Sequence, residues 1–463
     1  MLLTGVPDLR RDARAIFDEA LSRVDAGAAV RRSVRVDASS RLHIVDAQFD
    51  LSAPPTPIYS IAVGKAASAM ASALETILDS HFTAGIISAP TSEAPASHVK
   101  LSERWRVFAG GHPVPNDASL AAARAAFDLL RVADDVSALI IFLVSGGGSA
   151  MMEWPRDSNI TLEELREANR VLVTCGADIA EVNTVRRAIS AVKGGGLAVG
   201  APRAAQITLI ISDTNRNDEA NVASGPTFPP ETWPAAGSEA ATVIERYGLT
   251  ARLPASVVRA VAMNAHRPTP AVPSSSQTLR RRHVLLDNDD AVEFAAEAAR
   301  QRGFIVEVAH DLVGQSVDEG ARAMVSRLIE LRRRNSAAGR AVCLISGGEF
   351  ACPVRGPGTG GRNAETALRC ALELDAHVRN SVEVDYPRAV ALCAGTDGID
   401  GNSPADGALV DDLTLARARA QGLEAPAFLA SSDAYTFFNQ LGDALVTGPT
   451  GTNVRDLRIL LAE

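Results

Sequence analysis

The sequence predicts an α/β protein in which parallel sheets are flanked by helices, and three observations support this class. Apolar runs of strand length alternate along the chain with amphipathic stretches of helix length. Aromatic residues make up only 4% of the chain, and small and aliphatic residues dominate, which suits parallel strands packed against helices. Several apolar runs end in a glycine turn that leads into a helix, as in a doubly wound unit. We therefore expect ligands at the carboxyl ends of the strands.

The length of 463 residues is sufficient for two or three domains with separate cores. A stretch rich in Pro and Ser at residues 267–276 has the clearest linker composition in the chain. This predicts a first domain at residues 1–266, a linker at 267–282 and a second domain at 283–463.

The charge balance is acidic, with 46 Lys and Arg against 55 Asp and Glu and a formal net charge of −9. This balance argues against a nucleic-acid surface and against a basic membrane-binding face. The two triple-arginine runs, at residues 280–282 and 332–334, are interpreted as solvated helix ends or linker residues. A small-molecule substrate is the expected partner.

Cysteine usage indicates a reducing compartment. The five cysteines are scattered without a Cys-x-x-Cys pair, and two fall inside apolar strand runs, so buried free thiols are expected. The first residues include Pro7, Asp8 and Asp12 and lack the apolar segment of a signal peptide. The longest apolar stretch, residues 136–144, is far shorter than the ~20 residues of a membrane span. We expect a cytoplasmic protein.

The first candidate functional residue is Lys65. The predicted strand Ile58–Val63 runs into Gly64 and Lys65, and a helix follows as far as Leu78. A lysine is poorly placed at the positive end of a helix unless an anion lies there. Lys65 is therefore predicted to point into the ligand crevice, and a solvated lysine in a first helical turn is the alternative.

Glycine turns follow several of the other predicted strands. The most apolar strand, residues 138–144, leads directly into Ser145-Gly146-Gly147-Gly148-Ser149. Successive glycines after a buried strand allow a tight turn and close approach of the backbone to a ligand. Similar turns recur at Ser346-Gly347-Gly348-Glu349, Ser224-Gly225-Pro226-Thr227 and Thr447-Gly448-Pro449-Thr450. The recurrence suggests two similar α/β layers, each with a glycine loop.

Four polar side chains also lie in turns after predicted strands. Asp213 follows the strand at residues 206–211 and is placed to bind a metal or take a proton, with a helix N-cap as the alternative. Asp397 and Asp400 lie within one turn, as ligands of a hard cation would, although a turn-forming pair explains them nearly as well. His112 lies in a turn of Gly and Pro and could touch a ligand, but a lone histidine is more often structural.

A glycine cluster precedes a helix in the second domain. Glycines 356, 358, 360 and 361 lead to a helix at residues 363–374, and Arg362 lies at its start. Backbone N–H groups at the positive end of a helix form an anion site, and the guanidinium of Arg362 suits phosphate or carboxylate. A glycine-rich hairpin with a solvated Arg362 is the alternative. No Walker A motif occurs in the chain.

The remaining predicted elements complete the alternation of helices and strands. They are helices at residues 8–24, 119–130, 162–190, 291–302, 317–334 and 434–440, and strands at 85–88, 105–109, 284–286, 304–308, 341–345, 388–392, 444–446 and 457–461.

Together these residue types favour a phosphorylated ligand with Mg²⁺. Phosphoryl transfer needs a Lys or Arg on the moving phosphoryl group, a metal on the phosphate oxygens and a carboxylate near the attacking hydroxyl. The chain has no Gly-x-Ser-x-Gly elbow and no His-Glu-x-x-His motif, which argues against the hydrolases that these motifs define. The residues alone do not name the acceptor.

The chain resembles the class II glycerate 2-kinases, a family with a C-terminal MOFRL domain whose members are often labelled hydroxypyruvate reductases. The resemblance covers nearly the whole chain. In the first half it is carried by Ala62-Val63-Gly64-Lys65-Ala66-Ala67, Gly110-Gly111-His112-Pro113-Val114-Pro115, Ser145-Gly146-Gly147-Gly148-Ser149-Ala150, Asn183-Thr184-Val185-Arg186, Lys193-Gly194-Gly195, Ile211-Ser212-Asp213 and Ala223-Ser224-Gly225-Pro226-Thr227. In the second half it is carried by Ser346-Gly347-Gly348-Glu349, Gly358-Thr359-Gly360-Gly361-Arg362-Asn363, Gly395-Thr396-Asp397-Gly398-Ile399-Asp400-Gly401 and Thr447-Gly448-Pro449-Thr450-Gly451-Thr452-Asn453.

The resemblance implies two Rossmann-like three-layer α/β domains with the active site in the cleft between them. It implies that ATP and Mg²⁺ are used to phosphorylate the 2-hydroxyl of D-glycerate, which gives 2-phosphoglycerate. The expected catalytic residues are Lys65, Asp213 and Arg362, the expected substrate contacts are Arg186, Glu349 and Asn363, and the expected metal ligands are Asp397 and Asp400. The expected nucleotide and phosphate contacts are Gly64, Ser145, Gly146, Gly147, Gly148, Ser149, Lys193, Ser224, Gly225, Gly358, Gly360 and Gly361. A homodimer is one option for the assembly.

The sequence departs from the family pattern near the expected pocket. Members usually read Asp-Val-Pro-Gly-Asp-Asp after the strand, whereas Asp213 is followed here by Thr-Asn-Arg-Asn-Asp. The histidine of the motif Val-Arg-Lys-His-Leu-Ser is replaced by Ala188, and the arginine of Lys-Gly-Gly-Arg is replaced by Gly196. These changes leave the acceptor open to a related small hydroxy acid.

Two other functions compete with the kinase. An NAD(P)H-dependent hydroxypyruvate reductase would match the label that family members often carry, but no clean Gly-x-Gly-x-x-Gly follows the first strand of the sheet. The other alternative is a metabolite-binding protein that kept the fold and lost turnover.

Overall fold

The computed structural model describes residues 8–52, 56–90, 101–228, 236–264, 278–380 and 388–463. These divide into an N-terminal unit within residues 26–286 and a C-terminal unit that combines residues 8–25 with 287–463. The first helix, α1 (Leu9–Arg23), thus belongs to the C-terminal unit, because Leu9 and Phe17 are buried in one core with Val292 and Ile459. The predicted domain 1–266 therefore needs correction at its start. Most of the predicted linker, residues 267–277, lies outside the described residues.

The N-terminal unit contains two sheets. A small antiparallel sheet is followed by a six-stranded sheet that is parallel throughout, in the order β6-β5-β4-β7-β8-β9. The strands are β1 (Val34–Val36), β2 (Arg41–Ile44), β3 (Ala47–Asp50), β4 (Ile58–Val63), β5 (Phe82–Ala89), β6 (Trp105–Ala109), β7 (Leu139–Ser145), β8 (Ala205–Ile211) and β9 (Arg280–Leu286).

The strand order of the large sheet reverses between β4 and β7. From β4 the chain proceeds outward through β5 to β6, and it then returns to build β7, β8 and β9 on the other side. Doubly wound sheets bind ligands at such a switch point, outside the carboxyl ends of the strands. The turns after β4 and β7 carry Lys65 and Ser145–Ser149, so the fold places both predicted sites at this point.

Helices cover the large sheet on both sides, which confirms the predicted class. They are α2 (Ala26–Ser33), α3 (Ala67–Leu78), α4 (Asp117–Asp135), α5 (Gly148–Met151), α6 (Leu162–Val173), α7 (Ile179–Ile189), α8 (Gly196–Val199), α9 (Ala236–Arg246) and α10 (Ala255–Asn264).

The single helix predicted at residues 162–190 is two helices, α6 and α7. The break contains Gly176, which has φ +88°, a left-handed conformation that few other residues adopt readily. Asp178 then caps α7, because its carboxylate accepts a hydrogen bond from the N–H of Glu181. The turn chemistry therefore overrides the helical periodicity of the flanking residues.

The triple-arginine run at residues 280–282 is a strand and not a solvated linker. It begins β9, which pairs with β8 along its length, so residues 283–286 belong to the N-terminal unit as well. Arg282 Nε donates to the carbonyl of Thr227 at 3.1 Å, and burial lowers the pKa of Arg282. The long aliphatic stems of arginine allow such an edge strand to form despite its charge.

The C-terminal unit has a six-stranded sheet in the order β10-β11-β15-β12-β13-β14. Only β10 and β11 are parallel, and the other neighbours are antiparallel, so this sheet differs from the predicted parallel arrangement. The cause is the last strand of the chain, which inserts between β11 and β12 and runs against both. The strands are β10 (Ile305–Val308), β11 (Val342–Ser346), β12 (Ala389–Gly395), β13 (Gly407–Asp411), β14 (Ala444–Leu445) and β15 (Asp456–Ala462).

Helices lie on both faces of this sheet too. One core includes side chains of α1 and α11, and the other includes side chains of α12, α13 and α16. The arginines at 332–334 form the last turn of α12, as predicted. None of the helices that the structure describes has the length and apolar character to span a bilayer. The remaining helices are α11 (Asn288–Gln301), α12 (Val317–Arg334), α13 (Arg362–Asn380), α14 (Thr414–Ala420), α15 (Ala425–Ala430) and α16 (Ala434–Leu441).

Candidate active site

The turns after β4 and β7 are locked together by hydrogen bonds. The N–H of Lys65 donates to the carbonyl of Gly146 at 2.8 Å, and the N–H of Ala66 donates to Ser145 Oγ at 3.0 Å. Gly64 has φ +115°, and a Cβ at this position would lie 2.4 Å from the carbonyl oxygen of Ser145. Only glycine fits between the two turns, so the contact fixes Lys65 beside the predicted glycine loop.

The turn at residues 145–149 is also packed against two other loops. Gly147 has φ +81°, and a Cβ there would lie 3.1 Å from Cδ2 of His112. A Cβ on Gly148 would lie 2.8 Å from the Cβ of Ala223. The exposed His112 therefore lies at the edge of the loop cluster.

A chain of polar side chains extends from this turn to Arg186. Ser149 Oγ and Ser224 Oγ are 2.9 Å apart, and Ser224 Oγ donates to Asn183 Oδ1 at 3.1 Å. Arg186 NH1 lies 3.5 Å from the same Asn183 oxygen, and Arg186 Nε donates to Asn169 Oδ1 at 2.9 Å. Three predicted site residues, Ser149, Ser224 and Arg186, are thus brought together in the N-terminal unit.

Arg186 is a half-buried cation, and its direct hydrogen-bond partners among the described residues are neutral. Burial lowers the pKa of its guanidinium, and the more distant charge of Glu153 opposes that effect. Its hydrogen bonds within the described residues go to amide oxygens and not to a carboxylate. Such a site gains free energy when an anionic ligand supplies the missing charge.

Lys193, which we predicted to contact the nucleotide, forms a buried ion pair within the protein. Its side chain is 1% exposed and forms an ion pair with Glu153, which also accepts a hydrogen bond from Ser190 Oγ. Burial lowers the pKa of Lys193, and Glu153 counteracts this. Lys193 therefore anchors its loop, and its ammonium group is engaged by Glu153.

The loop that Lys193 anchors is joined to a second predicted glycine turn. The N–H of Gly194 donates to the carbonyl of Ser224 at 3.1 Å, and the N–H of Gly195 donates to the carbonyl of Gly225 at 2.8 Å. Ser224 and Gly225 both have positive φ, at 61° and 67°. The left-handed Ser224 is strained, and the hydrogen bonds from the facing loop hold it in place.

Asp213 lies just past the carboxyl end of β8 and is half-buried. No helix starts at this residue, since the next helical turn spans Glu219–Ser224 and follows Asp218. The alternative that Asp213 is an N-cap is therefore wrong. Its place next to β7 in the sheet agrees with a position near the loop cluster.

In the C-terminal unit, Arg362 is held by two carboxylates. Arg362 Nε donates to Asp456 Oδ2 at 2.6 Å and its NH2 donates to Asp456 Oδ1 at 3.2 Å, while NH1 donates to Glu349 Oε2 at 3.2 Å. Burial opposes the charge, but Asp456 and Glu349 raise the pKa of Arg362 above its ordinary value. The alternative interpretation, in which Arg362 is a solvated residue of a glycine-rich hairpin, is therefore wrong.

The predicted anion site at the start of α13 already holds a carboxylate. Asp400 Oδ1 accepts from the N–H of Asn363 at 2.9 Å, and Oδ2 accepts from the N–H of Ala364 at 2.8 Å. A Cβ on Gly361 would lie 2.4 Å from Asp400 Oδ1, which explains the glycine. Burial raises the pKa of Asp400 to about 7, against the two backbone hydrogen bonds.

The glycine loop before α13 is likewise bound to the protein itself. The N–H of Gly358 donates to the carbonyl of Ser431 at 2.9 Å, and the N–H of Gly360 donates to Asn402 Oδ1 at 2.8 Å. Both amide N–H groups are therefore engaged by other loops of the protein. The predicted phosphate contacts at Gly358 and Gly360 are replaced by loop-closing hydrogen bonds.

The two predicted metal ligands, Asp397 and Asp400, have different hydrogen-bond partners in the structure. Both oxygens of Asp400 cap α13, whereas Asp397 Oδ1 accepts a hydrogen bond from the N–H of Ile399 at 3.2 Å. Asn363 lies nearby, since its Nδ2 and Asp397 Oδ1 both approach the position of a Cβ on Gly395, at 3.5 and 3.1 Å. Its buried Oδ1 has no hydrogen-bond partner among the described residues. Across that same part of the chain, no three His, Cys, Asp or Glu side chains form a metal cluster.

Sequence reasoning missed Glu153, Asp456 and Arg458. Arg458 is buried, donates to Ser346 Oγ at 3.1 Å and stacks 3.7 Å from the Phe350 ring centre, and burial lowers its pKa to about 10. A signal existed, because Asp456 and Arg458 are charged residues in the otherwise apolar last strand. Glu153 similarly stands among Met151, Met152 and Trp154.

Known protein families match most of the chain. The family model described as "Domain of unknown function (DUF4147)" matches residues 12–262, and the MOFRL family model matches residues 342–456. The glycerate kinase of Homo sapiens is 34% identical over 98% of this chain and 93% of its own length. The D-glycerate 2-kinase of Thermotoga maritima is 32% identical over 86% of this chain and 89% of its own length. The chain belongs to the glycerate kinase family.

Other relatives in this family carry a different name. A protein of Agrobacterium vitis that is named as a hydroxypyruvate reductase is 33% identical over 98% of this chain and 94% of its own length. Among solved structures, the glycerate kinase of Thermotoga maritima matches with a TM-score of 0.77 and 29% identity, covering 98% of this chain and 99% of that chain. A protein of Pyrococcus horikoshii matches with a TM-score of 0.73 and 29% identity over 99% of both chains.

Each family model covers the cluster of candidate residues in one unit. The turns around Lys65, Ser149 and Arg186 fall within the first match, and the cluster of Arg362 and Asp456 falls within the MOFRL match. The site residues therefore belong to the segments that define the family.

Proposed function

We propose that the protein is an ATP-dependent kinase that phosphorylates the 2-hydroxyl of D-glycerate or of a closely related small hydroxy acid. The observation that carries the proposal is the locked pair of turns at the β4–β7 switch point, which fixes Lys65 beside a glycine loop. A lysine beside a glycine turn at such a point suits a transferring phosphate. The kinase relatives supply the substrate class.

Each unit offers one proposed phosphate-binding cation, Lys65 in the N-terminal unit and Arg362 in the C-terminal unit. Lys65 lies at the switch point, and Arg362 is oriented by its paired hydrogen bonds to Asp456. Asp456 and Glu349 neutralise part of the charge of Arg362. We therefore propose that Arg362 mainly orients the phosphate and contributes less to neutralising its charge. The glycine loop at residues 145–149 would contact the nucleotide through its backbone.

Arg186 and Asp213 are the proposed contacts of the acceptor. A hydroxy acid carries a carboxylate, and Arg186 is a cation whose direct partners are neutral amides. Asp213 would accept the proton of the attacking hydroxyl or orient that group, as a carboxylate at a strand end can. The side chains of Ser149 and Ser224 would form hydrogen bonds with the hydroxyl of D-glycerate that is not phosphorylated.

A magnesium ion suits part of the C-terminal cluster. Mg²⁺ commonly takes one or two protein carboxylates and completes its shell with phosphate and water. Asp397 and the unpartnered Oδ1 of Asn363 supply oxygens of the right type, whereas Asp400 is engaged in capping α13. Bound there, the ion would neutralise phosphate oxygens, and Arg362 would orient them.

Two parallel incubations test the proposal. The first supplies D-glycerate with ATP and Mg²⁺ and measures ADP, and the second supplies hydroxypyruvate with NADH and measures absorbance at the nicotinamide band. We expect ADP release only in the first, at a rate that depends on the hydroxy acid. NADH oxidation without ADP release would favour the reductase named among the relatives, and nucleotide binding without turnover over a panel of hydroxy acids would indicate a non-catalytic protein. Assembly as a homodimer stays a prediction.

A further inference from the structure

A groove lies on the N-terminal unit away from the switch-point turns. Its volume is ≈ 740 Å³, and its walls are the edge strand β6, the helix α4 and the segment that follows α5. None of the turn residues assigned above to phosphate or acceptor lines it. The side chains that matter here are Arg106, Phe108, Asp117, Arg124, Trp154 and Arg156.

Two arginines in the groove stack on aromatic rings, and no carboxylate in the described part of the chain pairs with them. The guanidinium carbon of Arg124 lies 5.0 Å from the centre of the Trp154 ring, and that of Arg106 lies 5.6 Å from the centre of the Phe108 ring. Within the described residues neither guanidinium forms a hydrogen bond or an ion pair. A stacked guanidinium is held in orientation while its N–H groups remain available to an anion.

The charged side chains of the groove limit the number of negative charges that a ligand can carry there. Arg106, Arg124 and Arg156 line the groove together with two acids, Asp117 and Asp128. Asp128 is engaged by Arg131 on the same helix. A polyphosphate would meet Asp117 as a repulsive charge, whereas the charge of a single anionic group can be matched by Arg106 and Arg124. The volume suits a small organic molecule, and the aromatic walls suit a flat ring.

We propose that this groove is a second ligand site that binds a small aromatic anion, such as an aryl phosphate or an aryl carboxylate. The ring lies against Trp154 and Phe108, and the anionic group accepts hydrogen bonds from Arg124 and Arg106. This site is separate from the proposed kinase chemistry and does not depend on it.

The groove wall is continuous with the anchored loop of the candidate active site. The N–H of Trp154 donates to Glu153 Oε1 at 2.9 Å, and the carbonyl of Trp154 accepts from the N–H of Ala191 at 2.7 Å. Glu153 is the partner of the buried Lys193. Trp154 is therefore both a wall of the groove and an intrinsic fluorophore rigidly fixed within it.

Phenyl phosphate is the probe that tests the proposal, with the full-length protein and saturating ATP and Mg²⁺ present. Calorimetry and tryptophan fluorescence should show saturable binding with a change in emission, and inorganic phosphate should bind more weakly. Arg124→Gln and Arg106→Gln should each weaken binding about tenfold, the effect of one lost charged hydrogen bond. Trp154→Phe should abolish most of the emission change while calorimetry still detects binding.

Arg203→Gln is the matched control, because Arg203 is an exposed arginine of the same unit whose partners are Asp134 and Asp135. It should bind phenyl phosphate as the unmodified protein does. The proposal fails if no saturable binding occurs, if ATP displaces the probe competitively, or if both arginine variants bind with unchanged affinity while circular dichroism shows them folded.

Discussion

Lys193 and Glu153 form a buried ion pair beneath the glycine turns of the N-terminal unit. Both side chains are at most 5% exposed, and the pair connects the segment after α5 to the loop that contacts Ser224 and Gly225. A buried ion pair is weak evidence of net stabilisation, but loss of one partner leaves the other charge without compensation. The pair is therefore interpreted as a device that fixes the geometry of the site.

We predict that Glu153→Gln destabilises the protein by about 3–5 kcal/mol, because it leaves the buried ammonium group of Lys193 without its counter-ion. Urea denaturation followed by circular dichroism measures this loss. The double variant Glu153→Gln, Lys193→Met removes both charges and should recover part of the stability. A single variant as stable as the unmodified protein would contradict the role of the pair.

Lys65→Met should reduce kcat by about 10²–10³-fold, as loss of one preorganised charge on a transferring group does. The fold should be retained, since the backbone of the turn and not the lysine side chain makes the contacts to Gly146 and Ser145. Steady-state kinetics and a thermal melt measure both effects. Lys65→Arg keeps the charge and serves as the control, and kcat near the original value in Lys65→Met would remove this residue from the mechanism.

Arg186→Ala should raise KM for the hydroxy acid by about 10–100-fold and leave KM for ATP nearly unchanged. The reason is that a charge-assisted pair with a carboxylate contributes roughly 1.5–3 kcal/mol. Initial rates with each substrate varied in turn separate the two constants. Arg170→Ala removes an exposed arginine of α6 that is paired with Glu163 and Glu167, and it should alter neither constant. An equal rise of both KM values in Arg186→Ala would oppose its assignment to the acceptor.

The carboxyl group of Asp400 should make stability depend on pH. Burial raises its pKa from 3.8 to about 7 in the folded protein. Between these values the folded state holds a proton that the unfolded chain has released, so the contribution to stability is full below about pH 4 and is lost as the pH rises through 7.

Asp400→Asn cannot ionise and therefore lacks this dependence. The free energy of unfolding of the unmodified protein should fall relative to that of the variant between pH 4 and pH 8, by up to about 4 kcal/mol. Denaturant titrations of both proteins at several pH values give the difference. A constant difference across this range would show that Asp400 ionises in the folded protein as it does in the unfolded chain.

Local patterns in the sequence predicted much of the N-terminal unit. The apolar run of β4, the turn at Gly64 and Lys65 and the helix α3 follow one another within about 20 residues, so periodicity and turn chemistry describe them well. The doubly wound pattern also predicted that Lys65 and the glycine turns lie at carboxyl ends of strands, but the contact between Lys65 and the turn after β7 is seen only in the structure. The α/β class was confirmed, since it too depends on the local alternation of strands, turns and helices.

Contacts between distant segments were not predictable in this way. Asp400 caps α13 from a different loop, and Glu153 pairs with Lys193 across 40 positions of sequence. The sequence pattern around Asp400 suited a metal ligand as well as a cap, because both roles need an acid in a glycine-rich turn. The insertion of β15 between β11 and β12 likewise leaves no local trace in an apolar strand.

The central claim is transfer of a phosphoryl group from ATP to the 2-hydroxyl of a small hydroxy acid. The most direct test is two-dimensional ¹H–³¹P NMR of the product formed from D-glycerate, ATP and Mg²⁺. We predict a phosphorus resonance coupled to the single proton at carbon 2, with ADP formed in equal amount. Coupling to the two protons at carbon 3, or the absence of any phosphorylated acid, would contradict the account.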